Sequence, residues 1–274
     1  LFAGGSISKD FAPHAVKAGA VVIDNSSAFR MDPEVPLVVP EVNPQAILKH
    51  KGIIANPNCS TIIMVMALKP IYELSRIKRV IVSTYQAVSG AGKEGIDELD
   101  NQVREHSEGR EMIANILPSA SAEKHYPIAF NLIPQIDVFC DNLYTKEEMK
   151  MINETKKIME DNEMRITATT IRVPVYRSHS ESVNIELEQD VDLDVMRAAL
   201  AKFPGVTVQD DPASQEYPMP LYTSEKDDVY VGRLRKDESC DKSYNLWVVG
   251  DQIRKGAALN TLQIAETMIK NGWI

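Results

Sequence analysis

Cysteine is scarce in this chain of 274 residues, and the few copies are not arranged in pairs. Cys59, Cys140 and Cys240 lie far apart, no C-x-x-C motif occurs, and the five histidines do not cluster at metal-ligand spacing. An odd number of scattered cysteines is more typical of reduced proteins than of secreted disulfide scaffolds. We therefore expect a cytoplasmic protein without a metal site.

Long hydrophobic runs and an excess of positive charge are also missing. The longest uninterrupted apolar run, Ile62 to Leu68, is too short to span a bilayer, and the N-terminus lacks the charged-then-apolar order of a signal peptide. The formal net charge of -9 disfavours nucleic acid and anionic membranes as partners, although it is compatible with a local basic pocket. The composition is otherwise that of a globular protein long enough for two domains.

A G-x-G-x-x-G fingerprint, the usual phosphate-binding opening of a dinucleotide domain, is absent as well. The chain begins with LFAGGS, which resembles the end of a strand, so we expect the sequence to start within a domain. Then APHAVKAG predicts a short helix, and GAVVIDNSS and PLVVPEVN predict β-branched strands. These elements favour part of a parallel α/β sheet.

Beyond Cys59 the pattern changes to a mixed series of helices and strands, which suggests a second domain. The predicted strands are KRVIVSTYQAV, RITATTIRVPVY, SESVNIELEQ, DDVYVGRLR and NLWVVGDQ. The second and third of these alternate polar and apolar residues in the manner of antiparallel strands with one wet face.

Local signals predict the helices of this second region. The helix that starts near Cys59 is expected to extend to about Leu74, and TKEEMKMINETKKIM carries a capping box formed by Thr145 and Glu148. The last helix is expected to end with Gly272 at C′. Its predicted buried face carries Ala258, Leu262, Ala265 and Ile269.

The stretch IIANPNCSTIIMVM, residues 53–66, places a cysteine at the start of a predicted helix. Ile53 belongs to the end of a buried strand, Pro57 stops that strand, and Asn58 is a strong N-cap residue. Cys59 would lie in the first turn, where unpaired N–H groups and the helix dipole favour a thiolate. A buried cysteine acting only as a small hydrophobe fits the same position, so geometry alone leaves both interpretations open.

A nucleophilic thiol needs a proton acceptor, and His179 lies where one predicted strand ends and the next begins. By residue type alone, an exposed structural histidine is the more common outcome. Arg172, on the preceding strand, has a planar guanidinium that suits a carboxylate substrate, but solvent or a surface acid would satisfy it too. Cys140 and Cys240 have no helix-start context and are expected to be structural.

Other polar residues are weaker candidates when taken singly. Glu147 and Lys150 lie three apart on one predicted helix and could face a pocket, although a surface ion pair is the simpler interpretation. Arg30 ends a loop that could meet a phosphate, or it is an ordinary loop arginine. Ser89 to Gly92 would permit close approach of a ligand to the backbone and would serve equally as a turn. Gln86 ends its strand, where it could hydrogen-bond within a cleft.

Taken together, these motifs resemble the bacterial aspartate-β-semialdehyde dehydrogenase family. The matching stretches, in chain order, are VVIDNSSAFRMDPEVPLVVPEVN, NPNCSTI, STYQAVSGAG, AFNLIPQIDVF, EEMK, RVPVYRSHSE and GDQIRKGAALNTLQIAE. That ordered series is more specific than any single motif. The resemblance implies an α/β fold: residues 1–58 plus 252–274 would form a Rossmann-like NADP-binding domain, incomplete here, and residues 59–251 a mixed α+β catalytic and dimerisation domain.

The resemblance also implies an activity: reduction of L-aspartyl-4-phosphate to L-aspartate-4-semialdehyde through a cysteine thioester, in lysine, threonine and methionine biosynthesis. Cys59 would be the nucleophile and His179 the general acid/base. The implied substrate-binding residues are Gln86, Arg172 and Glu147, and the implied phosphate-binding residues are Arg30, Asn58 and Lys150. NADP would be bound by Ser89, Gly90 and Gln252, the last at a position where many relatives carry Asn.

The implied partners are the small-molecule substrate, inorganic phosphate and a second copy of the chain in a homodimer, with a tetramer as the larger alternative. No nucleic acid or membrane partner is expected. Two alternatives stay open: a related acyl-phosphate reductase, such as N-acetyl-glutamyl-phosphate reductase or a glyceraldehyde-phosphate dehydrogenase, and a fragment that dimerises without holding cofactor. The missing Gly-rich opening favours the fragment, because a pyrophosphate normally rests on that loop.

Overall fold

A computed structural model describes residues 4–274, so the first half of the predicted strand end LFAGGS lies outside the described residues. The helices are α1 Gly5–Lys17, α2 Cys59–Tyr72, α3 Lys93–Ser107, α4 Lys146–Met159, α5 Leu193–Lys202, α6 Pro220–Thr223 and α7 Leu259–Asn271. The strands are β1 Val22–Asp24, β2 Ile53–Ala55, β3 Ile77–Gln86, β4 Arg165–Arg172, β5 His179–Leu187, β6 Val206–Val208, β7 Val229–Lys236 and β8 Ser243–Gly250. Shorter helical turns lie at Pro44–Lys49, Val88–Ala91 and Arg254–Ala258.

Two sheets organise the described chain. β1 and β2 form a small parallel pair, as the α/β pattern of the first sixty residues predicts. The larger sheet has six strands in the order β4-β3-β5-β8-β7-β6. β4 and β6 run parallel to their neighbours, whereas the pairs β3/β5, β5/β8 and β7/β8 are antiparallel. Mixed α/β architecture is therefore confirmed.

α2 is the central helix of the core. Its residues from Ser60 to Leu68 are all buried, and it packs between the large sheet and helices α4 and α5. A helix that is apolar around its whole circumference can be accommodated only inside a core. The first residue of α2, Cys59, is therefore fixed relative to the sheet by packing on every side.

Strand pairing differs from the sequence-based expectation in two places. The segment PLVVPEVN is not a strand, because only Leu37 forms a bridge, to Ala55, while Val38 and Val39 are buried in a loop. Both β4 and β5 were predicted to be antiparallel strands, but only β5 is: β3 lies between them and pairs with β4 in parallel and with β5 in antiparallel orientation. The chain returns from β3 to β4 through α4, and such a helical crossover gives a parallel pair.

The predicted buried face of α7 was also wrong. Leu262 and Ile269 are 54% and 68% exposed, whereas Ile264 and Met268 are buried against the hydrophobic cluster around Ile47. The helix presents a different side to its neighbours, because it packs on β1 and the turn at 44–49, and Ile264 lies two residues, or about 200°, around the helix from Leu262. Smaller differences concern helix ends: α1 starts at Gly5 within LFAGGS, and α2 ends before Leu74. The capping box of α4 and the left-handed Gly272 are confirmed.

Among residues 4–274, no helix is long and apolar enough to cross a membrane. Within the same range, no group of three or more His, Cys, Asp or Glu side chains could hold a metal ion.

Candidate active site

Cys59 opens α2, and Asn58 caps the helix. Asn58 Oδ1 accepts a hydrogen bond from Thr61 N–H at 3.2 Å, as predicted for an N-cap residue. Asn58 is itself held by two carboxylates: its N–H donates to Glu154 Oε2 at 2.6 Å and its Nδ2 donates to Glu147 Oε1 at 2.9 Å. The predicted strand, turn and helix start are therefore confirmed, and the thiol lies at a rigid point.

A cavity of about 410 Å³ collects most of the predicted site residues. They are Arg30, Asn58, Cys59, Gln86, Gly90, Glu147, Lys150 and Arg172. Strand register explains part of this grouping, because Gln86 and Arg172 are paired at the ends of β3 and β4. On the other side of β3, the pair Tyr85–Ser180 brings the start of β5 to the same edge of the sheet. His179, Ser89 and Gln252 do not line the cavity themselves, although His179 lies directly next to Gly90, which does.

The thiol is less acidic than its position at a helix start predicts. Burial, followed by the nearby carboxylate of Glu147, raises the pKa of Cys59 to about 12. The positive charges of Arg30 and Arg172 oppose this shift but do not cancel it. Loss of hydration penalises the thiolate more than the neighbouring charges favour it, an effect opposite to the one expected from the helix start alone. Cys59 is a protonated thiol at neutral pH.

His179 is fully buried, in contrast to the exposed residue expected from its type. Its Nδ1 accepts a hydrogen bond from Ala87 N–H at 3.0 Å, and its Nε2 lies 3.4 Å from Gln86 Nε2. Because a backbone amide can only donate, a neutral ring must carry its proton on Nε2. Burial and then the charge of Arg172 hold the pKa of His179 well below its usual value, so the ring is neutral at pH 7. No hydrogen bond joins this ring to Cys59 within residues 4–274.

Arg172 is only 3% exposed, although its strand was predicted to have a wet face. Its Nη1 donates to Ala87 O at 2.7 Å, and its Nε has no partner among the described residues. Burial lowers the pKa of Arg172, while Glu147 opposes the shift. The guanidinium has room because residue 90 is glycine: a Cβ there would lie 2.6 Å from Nη1 and 3.3 Å from His179 Cε1. A buried donor facing a cavity is suited to bind an anion.

Glu147 and Lys150 form an ion pair inside the cavity and not on the surface. Lys150 Nζ lies 3.2 Å from Glu147 Oε2 and 3.0 Å from Asp137 Oδ2, and the Glu147 side chain is 6% exposed. Gln86 Nε2 donates to the other Glu147 oxygen at 3.3 Å. Burial would raise the pKa of Glu147, but Lys150 and the Asn58 hydrogen bond outweigh it, so the net pKa is lowered. Glu147 is therefore an ionised carboxylate that can accept a hydrogen bond from a positively charged group of a bound molecule.

Arg30 is buried and fixed by two contacts. Its Nη1 lies 3.2 Å from Glu154 Oε1, and its Nη2 donates to Asn25 O at 2.9 Å. Sequence analysis missed Glu154 altogether. A signal was available, since Glu154 follows Glu147 by two helical turns and shares its face of the predicted helix.

The three residues predicted to border the cofactor do not all share one environment. Gln252 Nε2 donates to Ser89 Oγ, and Gln252 Oε1 accepts from Ser178 N–H at 3.0 Å, so both side chains are engaged in the wall behind the cavity. Sequence analysis also missed Gly256. A Cβ at this position would lie 2.8 Å from Cys59 Cβ, so a glycine is needed for the turn at 254–258 to touch the start of α2.

Comparison with known proteins identifies the family. Residues 68–255 match a family model described as "Semialdehyde dehydrogenase, dimerisation domain", and residues 1–50 match "Semialdehyde dehydrogenase, NAD binding domain". Aspartate-semialdehyde dehydrogenase of Aquifex aeolicus is 55% identical over 274 residues, covering 99% of this chain and 79% of that protein. The Bacillus subtilis enzyme is 55% identical over 269 residues, with coverages of 98% and 78%.

A solved structure gives the same result. The crystal structure of aspartate semialdehyde dehydrogenase II from Vibrio cholerae superposes with a TM-score of 0.92 and 48% identity, covering 98% of this chain and 78% of that chain. Identity at this level over nearly the whole length fixes both fold and family. The chain belongs to the aspartate-semialdehyde dehydrogenase family.

Proposed function

We propose that this cavity interconverts L-aspartyl-4-phosphate and L-aspartate-4-semialdehyde through a thioester on Cys59, with NADP as the nucleotide. One observation carries the proposal: a single protonated thiol shares a cavity with three cationic side chains, those of Arg30, Lys150 and Arg172. The substrate has a carboxylate at one end and a phosphate at the other, so it requires more than one cationic group. In an acidic protein such a cavity also concentrates anions.

Cys59 acts as the nucleophile. Its sulfur forms a bond to the acyl carbon, the bond from that carbon to the phosphate oxygen breaks, and the thiol proton leaves with the phosphate. The thiolate is the reactive form, and burial raises the pKa of Cys59, so the thiol proton must pass to an acceptor as the bond forms; the departing phosphate can take it. The N–H groups at the start of α2 face the negative charge that develops on the carbonyl oxygen.

His179 supplies the proton in the second half of the reaction. A pyridine nucleotide held by residues of this chain would supply the hydride for reduction of the thioester carbon. As the carbon–sulfur bond breaks to give the aldehyde, the sulfur regains a proton that His179 relays from solvent: the ring donates as an imidazolium and returns to its neutral form. Because burial and the charge of Arg172 hold the pKa of His179 low, the imidazolium is a strong proton donor and the ring is neutral before and after the step.

The remaining cavity residues hold the two ends of the substrate. Arg172 binds the α-carboxylate with its free N–H, and the ionised Glu147 accepts from the substrate amine. Gln86 contacts the reacting carbonyl. Its amide orientation is set because Oε1 accepts from Thr84 Oγ1 at 3.0 Å and Nε2 donates to Glu147. The phosphate-binding residues are Arg30, Asn58 and Lys150.

A pyridine nucleotide is the cofactor of this family, and the choice of NADP is part of the proposal. The described residues fit such a group at the first turn of α1, where the helix has no side-chain cap and a Cβ on Gly4 would meet no atom within 4 Å. Ser89, Gly90 and Gln252 would lie at the nicotinamide end, next to His179. We assign residues 1–58 plus 252–274 to nucleotide binding and residues 59–251 to catalysis and dimerisation.

A cytoplasmic location belongs to the same proposal. All three cysteines are free thiols, and catalysis by Cys59 requires a compartment that keeps it reduced. The relatives do not favour the alternatives, because they are named aspartate-semialdehyde dehydrogenase and not N-acetyl-glutamyl-phosphate reductase.

Substrate comparison tests the function. With phosphate and NADP present, we expect kcat/KM for aspartate semialdehyde to exceed that for N-acetyl-glutamate semialdehyde by at least about a hundredfold, because an acetylated nitrogen cannot form the charged contact with Glu147. Initial rates of NADPH formation give both values, and the same assay with NAD measures the nucleotide preference. Faster turnover of the acetylated substrate would contradict the proposal.

We also propose that the chain forms a homodimer through the open face of the large sheet. Ser83, Ser182 and Trp247 are paired across three neighbouring strands, and their side chains point away from the face that α2 covers. Tyr85 and Trp247 lie on this face with ring centroids 5.6 Å apart. The family match to a dimerisation domain includes all these strands. An uncovered sheet face with large aromatic side chains is typical of an interface.

The substitution Ser182→Arg tests the dimer. A charged side chain at the centre of the face would be buried without a partner on association, so we expect dissociation to monomers at micromolar concentration. Light scattering after size exclusion gives the mass directly. Ser107→Arg, on the exposed surface of α3, is the matched control and should stay dimeric. A dimeric Ser182→Arg would place the interface elsewhere.

A further inference from the structure

Glu154 joins two residues that come from distant parts of the chain. Its Oε1 lies 3.2 Å from Arg30 Nη1, and its Oε2 accepts from Asn58 N–H at 2.6 Å. Glu154 is 1% exposed, and each of its carboxylate oxygens contacts one of these partners. One side chain therefore sets the separation between the loop that carries Arg30 and the first turn of α2.

Lys157, one turn further along α4, holds the same loop by its backbone. Its Nζ donates to the carbonyl oxygens of Arg30 at 2.7 Å, Asp32 at 2.7 Å and Val35 at 2.8 Å. An ammonium has three N–H donors, so this loop uses all of them. The Lys157 ammonium therefore holds the conformation of the loop and does not form a surface ion pair.

These contacts give α4 a continuous functional face. The residues on it are Glu147, Lys150, Glu154 and Lys157, at helical spacings of three, four and three. Glu147 and Lys150 line the cavity directly. Glu154 and Lys157 instead contact Asn58 and Arg30, which line it. The order of charges alternates along the face, so each charged group is next to one of opposite sign.

Arg30 keeps the ability to bind an anion while it is held. Its two terminal nitrogens contact Glu154 and Asn25 O, and its Nε has no partner among the described residues. Burial raises the pKa of Glu154, and the nearby Arg30 and the Asn58 amide oppose that shift. Removing the charge of Glu154 would leave a buried guanidinium without its counter-ion, which is strongly unfavourable.

We propose that Glu154 and Lys157 are positioning residues for recognition of the transferred phosphate. Glu154 fixes Arg30 against Asn58, and Lys157 fixes the loop that delivers Arg30. This inference rests on the proposed function, which assigns Arg30 and Asn58 to the phosphate. Neither positioning residue touches the semialdehyde end of the substrate, so their loss affects one substrate selectively.

Steady-state kinetics in the phosphorylating direction test the inference. For Glu154→Gln and for Lys157→Met we expect KM for phosphate to rise about tenfold or more, the effect of losing one charged hydrogen bond, with KM for aspartate semialdehyde unchanged. A second readout needs no turnover: inorganic phosphate should protect Cys59 from alkylation in the wild type, at a concentration that rises by the same factor in each variant. Lys156→Met is the control, since the Lys156 ammonium has no hydrogen-bond partner within residues 4–274.

Arg30→Gln separates this inference from the proposed function. If Arg30→Gln raises KM for phosphate while Glu154→Gln and Lys157→Met leave it unchanged, the positioning roles are wrong and the phosphate site stands. If none of the three variants changes it, the phosphate assignment and the inference both fail. An equal rise of both KM values would show a general structural role and would overturn the inference. If Glu154→Gln does not fold, the comparison of Lys157→Met with its control Lys156→Met tests the inference by itself.

Discussion

Replacing Cys59 by alanine is expected to lower kcat by at least about 10⁴-fold, the order of loss found when the nucleophile of a covalent enzyme is removed. No other cysteine can substitute, because neither Cys140 nor Cys240 lines the cavity. The alanine retains the Cβ that packs against Gly256 and leaves the Asn58 cap intact, so the fold should be unchanged. NADPH formation from aspartate semialdehyde and phosphate measures the rate, and circular dichroism measures the fold.

Two further variants complete this experiment. Cys59→Ser is expected to leave at most a trace of activity, because a hydroxyl is a much weaker nucleophile and leaving group than a thiol. Cys240→Ala removes an exposed cysteine and should retain the wild-type rate. Wild-type turnover in Cys59→Ala with a folded protein would refute the assignment of the nucleophile.

The parts of the site that sequence predicted correctly are those encoded by neighbouring residues. The Asn58 cap, the start of α2 at Cys59 and the capping box of Thr145 and Glu148 each depend on residues within one helical turn. The physical cause is local, since a side-chain oxygen satisfies an N–H two or three positions away. Such local signals do not depend on how distant parts of the chain pack.

The burial of His179 and Arg172 could not be predicted, because it depends on which strands become neighbours. β3 lies between β4 and β5, and this order places Gln86 and Arg172 side by side with the start of β5 at the same edge. Alternation along each strand predicts a wet and a dry face but does not identify the element that covers it. The pKa of Cys59 differs from the local expectation for the same reason. The burial that raises this pKa comes from residues distant in sequence.

The face of α7 shows a different limit. Apolar residues occur on more than one side of this helix. The spacing of Leu262 and Ile269 is therefore compatible with a buried face, but in the fold that side of the helix is exposed. Ile264 and Met268 are buried instead, because the hydrophobic cluster around Ile47 lies on their side. Resemblance to a family proposed roles for the polar residues where local reasoning left alternatives open.

Substituting lysine for Arg172 is expected to raise KM for aspartate semialdehyde by about 10- to 100-fold, with a smaller effect on KM for phosphate. Nη1 of the guanidinium donates to Ala87 O, and its Nε has no partner among the described residues, so the group could hold the backbone and the proposed substrate carboxylate at once. A lysine ammonium is a single point charge on a flexible stem. It can bond to Ala87 O or reach the carboxylate, but it cannot present a fixed planar pair of donors.

Arg165→Lys is the matched control for this variant, because Arg165 starts the same strand and is 65% exposed in an ion pair with Glu186. We expect no change in either KM for the control, since exposed ion pairs contribute little. The two KM values distinguish the possible causes. A misfolded cavity would weaken the binding of both substrates, whereas loss of the carboxylate contact weakens the binding of aspartate semialdehyde alone. An unchanged KM for aspartate semialdehyde in Arg172→Lys would mean that the substrate carboxylate binds elsewhere, and the buried unpaired Nε would then need another partner.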